Sequence, residues 1–132
     1  MAMISEKYLD LLQKKKAFVS VATVMADGSP QVTPVWFDYK DGIVRVNTAK
    51  GRVKAHTLRE GAPVALAVID PDDPYRYVQI RGRVRRVTEE GAAQHIDSLA
   101  KKYLGQDKYT LCPPGEVRLL AEIEPTSSSG MG

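Results

Sequence analysis

The sequence predicts a mainly β domain, a small antiparallel β-barrel of six strands with flanking helices. Two Asp-Gly turns, at residues 27–28 and 41–42, bracket one segment of strand-forming residues, which is typical of an antiparallel meander. Residues 75–87 alternate between an apolar and a basic stripe, as a long strand does. Six antiparallel strands in a chain of 132 residues are best closed into a barrel, whose interior side chains fill.

The helices have recognisable start and stop residues. Ser5 caps a first helix. A short helix from about Lys50 ends at Gly61, and Thr88 caps a third helix that stops at Gly105. The strands are expected, in chain order, at residues 17–25, 31–39, 43–47, 62–69, 75–87 and 116–124.

The composition indicates one soluble domain. We expect it to span residues 1–124, followed by a flexible tail rich in Ser and Gly at residues 125–132. A net charge of +3 suits an anionic small ligand and does not require nucleic acid. Cys112, in a predicted turn at residues 112–115, is the only cysteine, which excludes an intrachain disulfide and favours the cytoplasm. Neither a membrane span nor a signal-peptide pattern is present.

A basic cluster follows the third predicted strand. Lys50, Arg52 and Lys54 fall within five positions at a predicted helix start, next to Gly51, which lets the backbone approach a ligand closely. Helix starts expose unpaired N–H groups and favour anions. Cations there cost stability unless an anion is bound. The cluster therefore predicts a phosphate site, and ordinary solvated cations are the alternative.

A second candidate lies within the predicted strand at residues 31–39. Pro34 cannot donate to a sheet ladder, so it marks an edge, a bulge or a place where the sheet opens. Thr33, Pro34, Val35 and Trp36 are therefore candidates for a ligand-facing backbone segment. The alternative is a simple edge strand with Trp36 in the core.

The strand at residues 75–87 carries more cations than an edge needs. These cations either surround an anionic ligand or protect an exposed sheet face from pairing with another strand. They are Arg76, Arg81, Arg83, Arg85 and Arg86. Asp70, Asp72 and Asp73 lie among prolines and indicate a turn, so no metal site is expected. His95 is alone on a predicted helix, which is more typical of a structural than of a catalytic histidine.

Several of these segments resemble the pyridoxamine 5′-phosphate oxidase-like split β-barrel proteins. The resemblance is greatest to the branch that binds the deazaflavin coenzyme F420, the flavin/deazaflavin oxidoreductases of group B. It spans about residues 5–124. It rests on residues 27–37, 47–54, 69–71, 74–78, 82–84, 95–100 and 102–105. The dinucleotide-binding glycine fingerprint is absent, as expected for a cofactor site outside a Rossmann fold.

The resemblance implies a six-stranded split barrel of the FMN-binding type and a homodimer with cofactor sites at its interface. It places the segment from Thr33 to Trp36 along the tricyclic ring. It assigns the binding of the ribityl-phosphate part of the cofactor to a second set of residues: Asn47, Thr48, Lys50, Gly51, Arg52 and Lys54. Arg76, Tyr77 and the arginines at residues 81–86 are assigned to the cofactor tail or to the cofactor of the other protomer.

The implied activity is that of a cytoplasmic oxidoreductase, which transfers hydride from reduced F420 to an electrophilic small molecule. No catalytic residue stands out; Tyr77 and an ordered water are the candidate proton donors. Two alternatives share the fold. One is an FMN-binding oxidoreductase, and the other is a carrier that binds F420 or a flavin without catalysis.

Overall fold

The computed structural model of the protein describes residues 4–110, 113 and 115–132. The helices of this part are α1 (Leu9–Gln13, preceded by a 3-10 turn at Glu6–Tyr8), α2 (Val53–Thr57) and α3 (Ala92–Leu104). The strands are β1 (Val19–Val24), β2 (Pro30–Val35), β3 (Phe37–Lys40), β4 (Ile43–Ala49), β5 (Pro63–Asp70), β6 (Asp73–Thr88) and β7 (Arg118–Met131). The predicted turn at residues 112–115 lies outside the described residues, apart from Pro113 and Gly115.

The seven strands form one antiparallel sheet in the order β2-β1-β5-β6-β7-β4-β3. β2 and β3 lie at its opposite edges, although only Trp36 separates them in the chain. The sheet must therefore curl until its two edges meet at Trp36. The predicted mainly β split barrel is confirmed, but with seven strands, because the segment at residues 31–39 divides at Trp36. Pro34 lies on the edge strand β2, as its missing N–H requires.

The core lies inside the curl. On β6, Val78 and Ile80 are buried whereas Arg81 and Arg83 are exposed, which confirms the predicted apolar and basic stripes. α1 packs its fully buried Leu12 against the same core. The basic face of β6 is consequently left on the outside of the barrel.

The sheet opens where α3 binds the backbone beside Trp36. The Trp36 ring stacks on Tyr103 of α3, with centroids 5.2 Å apart and an interplanar angle of 4°. The Tyr103 hydroxyl donates to the Ala17 carbonyl at 2.5 Å and accepts from the Phe37 N–H at 3.3 Å. Lys102 Nζ donates to the Phe37 carbonyl at 2.9 Å. Burial raises the pKa of Tyr103 to about 12, so its hydroxyl keeps its proton at ordinary pH.

Replacing Tyr103 by Phe tests whether α3 holds the opening. The ring remains against Trp36, but the Ala17 carbonyl and the Phe37 N–H lose their shared partner. We expect the free energy of unfolding to fall by about 1–3 kcal/mol, as measured by urea denaturation. Tyr75→Phe is the matched control, because Tyr75 is 81% exposed. Equally small losses in the two variants would contradict the assigned role of α3.

Two helix boundaries differ from those expected. α2 begins at Val53, with Arg52 at its N-cap position, instead of near Lys50. β6 continues through Thr88, so α3 begins only at Ala92. Gly91 occupies the N-cap position of α3, so the prediction that Thr88 caps this helix is wrong; Thr88 Oγ1 accepts from the Glu90 N–H at 3.0 Å in the connecting turn.

The C-terminal segment also differs from the expected flexible tail. β7 continues to Met131, which pairs with Tyr77 of β6. The Tyr8 ring lies against Gly130, where a side chain would collide with it. The absence of a side chain at Gly130 thus lets the end of β7 pass beneath the Tyr8 ring and pair with β6. In the described part of the chain, no helix has the length and apolar character needed to cross a membrane.

Candidate functional site

The basic end of the candidate site lies where α2 meets the edge strand β2. Lys54 Nζ donates to Thr33 Oγ1, which joins two of the predicted site residues. Lys54 is half-buried, and among the described residues no ion pair joins it to a carboxylate. Burial, and then the charge of Arg52, lower the pKa of Lys54. A bound anion would oppose both effects, so this contact fits a phosphate group.

The other two cations of the cluster already have partners. Lys50 Nζ lies 2.6 Å from Glu89, and Arg52 Nη2 lies 3.2 Å from Glu116. Lys50 and Arg52 are exposed; the partner of Lys50 is exposed as well, which makes that pair weak, whereas Glu116 is largely buried and also pairs with Arg118. Gly51 between them has a φ of 88°, a conformation that glycine adopts readily. α2 has only five residues, so the side chains rather than a helix dipole supply the positive charge.

A pocket of about 240 Å³ opens at the other end of the same β2 segment. It is lined by Phe18, Pro34, Val35, Trp36, Asn47, Ile96, Leu99, Tyr109 and Arg118. Four of these residues were among the candidate site residues, namely Pro34, Val35, Trp36 and Asn47. Thr33, which Lys54 contacts, directly precedes three lining residues of the pocket in the chain.

Aromatic rings fix the shape of this pocket. Trp36, held on Tyr103, meets Tyr109 edge-on, with centroids 6.1 Å apart at 84°. The Phe18 ring contacts Tyr103 at 5.4 Å and 73°. The Arg118 guanidinium lies 5.3 Å from the centre of the Tyr109 ring. Rings held in this way form a preformed apolar slot that suits a planar ligand.

The polar wall of the pocket consists of Asn47 and Arg118, which are both buried. Arg118 Nε donates to Asn47 Oδ1 at 2.8 Å, and its Nη1 donates to Glu116 Oε1 at 2.6 Å. The other oxygen of Glu116 contacts Arg52. One carboxylate therefore joins the pocket to the basic cluster.

Behind Asn47, a buried chain of polar groups leads away from the pocket. Asn47 Nδ2 donates to the Ala92 carbonyl at 2.9 Å and to His95 Nδ1 at 3.1 Å, which leaves the ring proton of His95 on Nε2. Nε2 lies 3.3 Å from Asp38 Oδ2 but lacks a hydrogen-bond partner. Burial alone would raise the pKa of Asp38; the His95 ring and the Arg45 guanidinium outweigh it and lower this pKa to about 2. His95 thus supports Asn47 from outside the pocket.

Three predicted residues are placed away from this site. Arg76 lies 2.7 Å from Asp10 and 2.9 Å from Asp70, so its charge holds the N-terminal helix against the β5–β6 turn. Tyr77 is exposed on β6 and does not line the pocket. Thr48 is buried within β4. Arg76 is therefore paired within its own chain and does not line this pocket.

The acidic loop after β5 belongs to the same N-terminal contact. Lys15 Nζ lies 2.7 Å from Asp70 and 3.0 Å from Asp72. Asp70 also accepts from the Asp72 N–H at 2.9 Å, which closes the turn that the prolines predicted. Hydrogen bonds from Lys15 are the main cause that lowers the pKa of Asp70.

The remaining arginines of β6 divide into two groups. Arg81 and Arg83 line a pocket of about 370 Å³ on the outer face of the sheet. Arg85 lies 2.9 Å from Glu122, and Arg86 lies 3.6 Å from Glu90. Arg85 and Arg86 are therefore paired on the surface, and Arg85 also borders a separate pocket beside Arg45 and Glu122.

Sequence reasoning missed much of the pocket wall. Phe18, Ile96, Leu99, Tyr109 and Arg118 line the pocket but were not among the candidate site residues predicted from the sequence. One signal was available, because Arg118 is the only cation in β7. A lone arginine at the start of an otherwise apolar strand segment suggests a buried partner or a ligand.

The fold, the basic cluster and the aromatic pocket together define a split-barrel protein of the flavin and deazaflavin oxidoreductase type. The sequence profile of the family described as pyridoxamine 5′-phosphate oxidase matches residues 4–126. The chain therefore belongs to the pyridoxamine 5′-phosphate oxidase family. No curated protein matches it.

Solved structures agree with this assignment. The chain is similar to an F420 reductase, with 31% identity, a TM-score of 0.81 and coverage of 96% of this chain and 98% of the other. It is also similar to a conserved hypothetical protein from Mycobacterium tuberculosis, with 25% identity, a TM-score of 0.74 and coverage of 98% and 86%. An FAD and heme binding protein from Mycobacterium smegmatis shares the fold at 19% identity, with a TM-score of 0.69 and coverage of 98% and 71%.

Proposed function

We propose that this protein is an F420-dependent reductase, which transfers a hydride from reduced F420 to an electrophilic small molecule. One observation carries the proposal. Lys54, a half-buried cation without a carboxylate partner among the described residues, contacts Thr33, and the next three residues of the chain line the aromatic pocket. This arrangement suits a planar ring joined by a short linker to a phosphate. The similarity to an F420 reductase favours a deazaflavin over a flavin.

Different residues of the chain would hold the phosphate and the ring of the cofactor. Lys54 and Arg52 would hold the phosphate, and the backbone at Pro34 and Val35 would lie along the ring. F420 supplies the hydride when it is bound in its reduced form. A ring bound against the aromatic and aliphatic walls would displace water from them, which would strengthen the polar contacts inside the pocket. Tyr77 does not line the pocket, so we assign the proton to an ordered water.

We further infer that the cofactor site lies at the seam of a homodimer. The outer face of the sheet exposes large apolar side chains, which a second copy would cover. They are Val24 (48% exposed), Val32 (63%), Ile69 (51%), Tyr77 (36%) and Met131 (55%). Arg81 and Arg83 line a pocket on this face, so in the dimer they would lie near the interface.

Titration of the purified protein with F420 and with FMN tests the proposal. We expect F420 to bind more tightly, as seen in its absorption spectrum, and the complex to sediment as a dimer. Reduced F420 should then be oxidised in stopped-flow experiments by at least one acceptor from a panel of quinones and enones. Tighter binding of FMN would indicate an FMN oxidoreductase. Binding of F420 without oxidation would indicate a carrier, and a monomeric complex would contradict the shared seam.

A further inference from the structure

The polar wall of the aromatic pocket has a fixed hydrogen-bond polarity. Arginine has only donors, so the 2.8 Å contact from Arg118 Nε makes the Asn47 side-chain oxygen the acceptor. The Asn47 NH2 group must then point the other way, where it donates to Ala92 and His95. The amide cannot reverse without losing all three contacts.

This fixed polarity determines what the wall can offer to a ligand. Both N–H groups of Asn47 are used, whereas its Oδ1 has a second lone pair. Arg118 uses two of its five N–H groups, for Asn47 and Glu116. The wall therefore presents an acceptor next to a cationic donor, within a pocket whose other walls are mainly apolar.

We propose that Asn47, which the resemblance assigned to the ribityl-phosphate part of the cofactor, instead acts with Arg118 to recognise the imide edge of a planar ring, a carbonyl adjacent to an N–H. Arg118 donates to the ring carbonyl, and Asn47 Oδ1 accepts from the ring N–H. The inference rests on the proposed function, because this edge belongs to the ring system of the proposed cofactor. It goes further by making an unsubstituted imide the condition for binding. Deazaflavins and flavins both satisfy this condition, and planar molecules without an imide do not.

The expected selectivity follows from burial. Asn47 and Arg118 are each only 9% exposed, so a ring that fills the pocket removes their remaining contact with water. A ring without the imide then leaves one N–H of Arg118 and the second lone pair of Asn47 Oδ1 without a partner, which typically costs about 1–3 kcal/mol. Such a cost corresponds to roughly a 10-fold to 100-fold loss of affinity.

Two probes that differ only at the imide nitrogen test this selectivity without any change in the protein. Lumiflavin carries the tricyclic ring and the free imide but no phosphate, and 3-methyllumiflavin differs by a methyl group on the imide nitrogen. Trp36 is the only tryptophan of the chain and lines the pocket, so quenching of its fluorescence reports binding. We expect lumiflavin to bind and 3-methyllumiflavin to bind at least about 10-fold more weakly. Lumiflavin should also displace F420.

A variant then assigns the preference to the polar wall. Arg118→Met should bring the affinities for the two probes to within about threefold of each other, because the oriented pair is lost. Arg85→Met is the matched control, since Arg85 also pairs with a glutamate but lies outside the pocket, and it should keep the full preference. Circular dichroism and thermal unfolding of both variants establish that they are folded.

The outcomes separate this inference from the proposed function. Equal affinities of the wild-type protein for the two probes would overturn the imide assignment even if F420 binds and is oxidised. Failure of lumiflavin to compete with bound F420 would overturn it as well. Absence of binding for F420, FMN and both probes would instead overturn the proposed function, and the inference with it.

Discussion

Replacing Lys54 by Met is expected to weaken the binding of F420 or FMN by about 100-fold. Lys54 contacts Thr33 on β2 and is half-buried. Because burial has already removed part of its hydration, its charge gains more from a phosphate than the charge of an exposed lysine does. Loss of a charge-assisted hydrogen bond of about 2–3 kcal/mol gives the expected factor. Isothermal titration calorimetry of the two proteins measures it directly.

Lys50→Met is the control within the same cluster. Lys50 is exposed and lies 2.6 Å from Glu89, which already neutralises it. Its removal should change the affinity by no more than about threefold. Lumiflavin, which lacks the phosphate, should bind both variants as it binds the wild-type protein. Equal losses for Lys50→Met and Lys54→Met would show that the phosphate is not held at the contact between α2 and β2.

The pH dependence of binding gives a second readout of Lys54. Its pKa is lowered from the usual lysine value of 10.5, and phosphate binding requires the ammonium form. The affinity is therefore full below the lowered pKa and falls as the pH rises through it. In Lys50→Met this alkaline fall should persist, because Lys54 is intact. In Lys54→Met the part of the fall that begins at the lowered lysine pKa should be absent.

The sequence specified the meander but not the place where the sheet opens. Pro34 correctly indicated an edge strand, since a residue without an N–H leaves a gap in any ladder. The break itself comes two residues later, at Trp36, where hydrogen bonds from Tyr103 and Lys102 hold the neighbouring Phe37 backbone. These partners lie 66 and 65 positions along the chain. The residues next to Trp36 in the sequence therefore do not predict these contacts.

In the candidate site, too, the local sequence does not show which charged residues have distant partners. Spacing alone brought Lys50, Arg52 and Lys54 together as one cluster. It could not rank them, because their differences arise from distant partners such as Glu116, 64 positions from Arg52. Arg118 was overlooked for a related reason. Its place in the pocket wall depends on Asn47, which is 71 positions away.

Asp38→Asn is expected to lower the free energy of unfolding by about 2–3 kcal/mol at neutral pH, and to remove one step of acid unfolding. The pKa of Asp38 is about 2 in the folded protein against 3.8 for the ordinary group. A carboxylate with a lowered folded-state pKa stabilises the protein fully above its unfolded-state pKa. That contribution is lost as the pH falls from about 4 to about 2. Urea denaturation at pH 6 and at pH 2.5 measures the difference.

Because Asp10 and Asp70 also have lowered pKa values, the wild-type protein loses stability in acid for several reasons. The informative quantity is therefore the difference between wild type and Asp38→Asn, which should shrink towards zero as the pH approaches 2. Asp107→Asn is the control, since Asp107 is exposed and forms only a 3.7 Å surface pair with Lys101. A difference between wild type and Asp38→Asn that is independent of pH would mean that Asp38 stabilises the fold through packing. Its charge beside Arg45 and His95 would then contribute nothing.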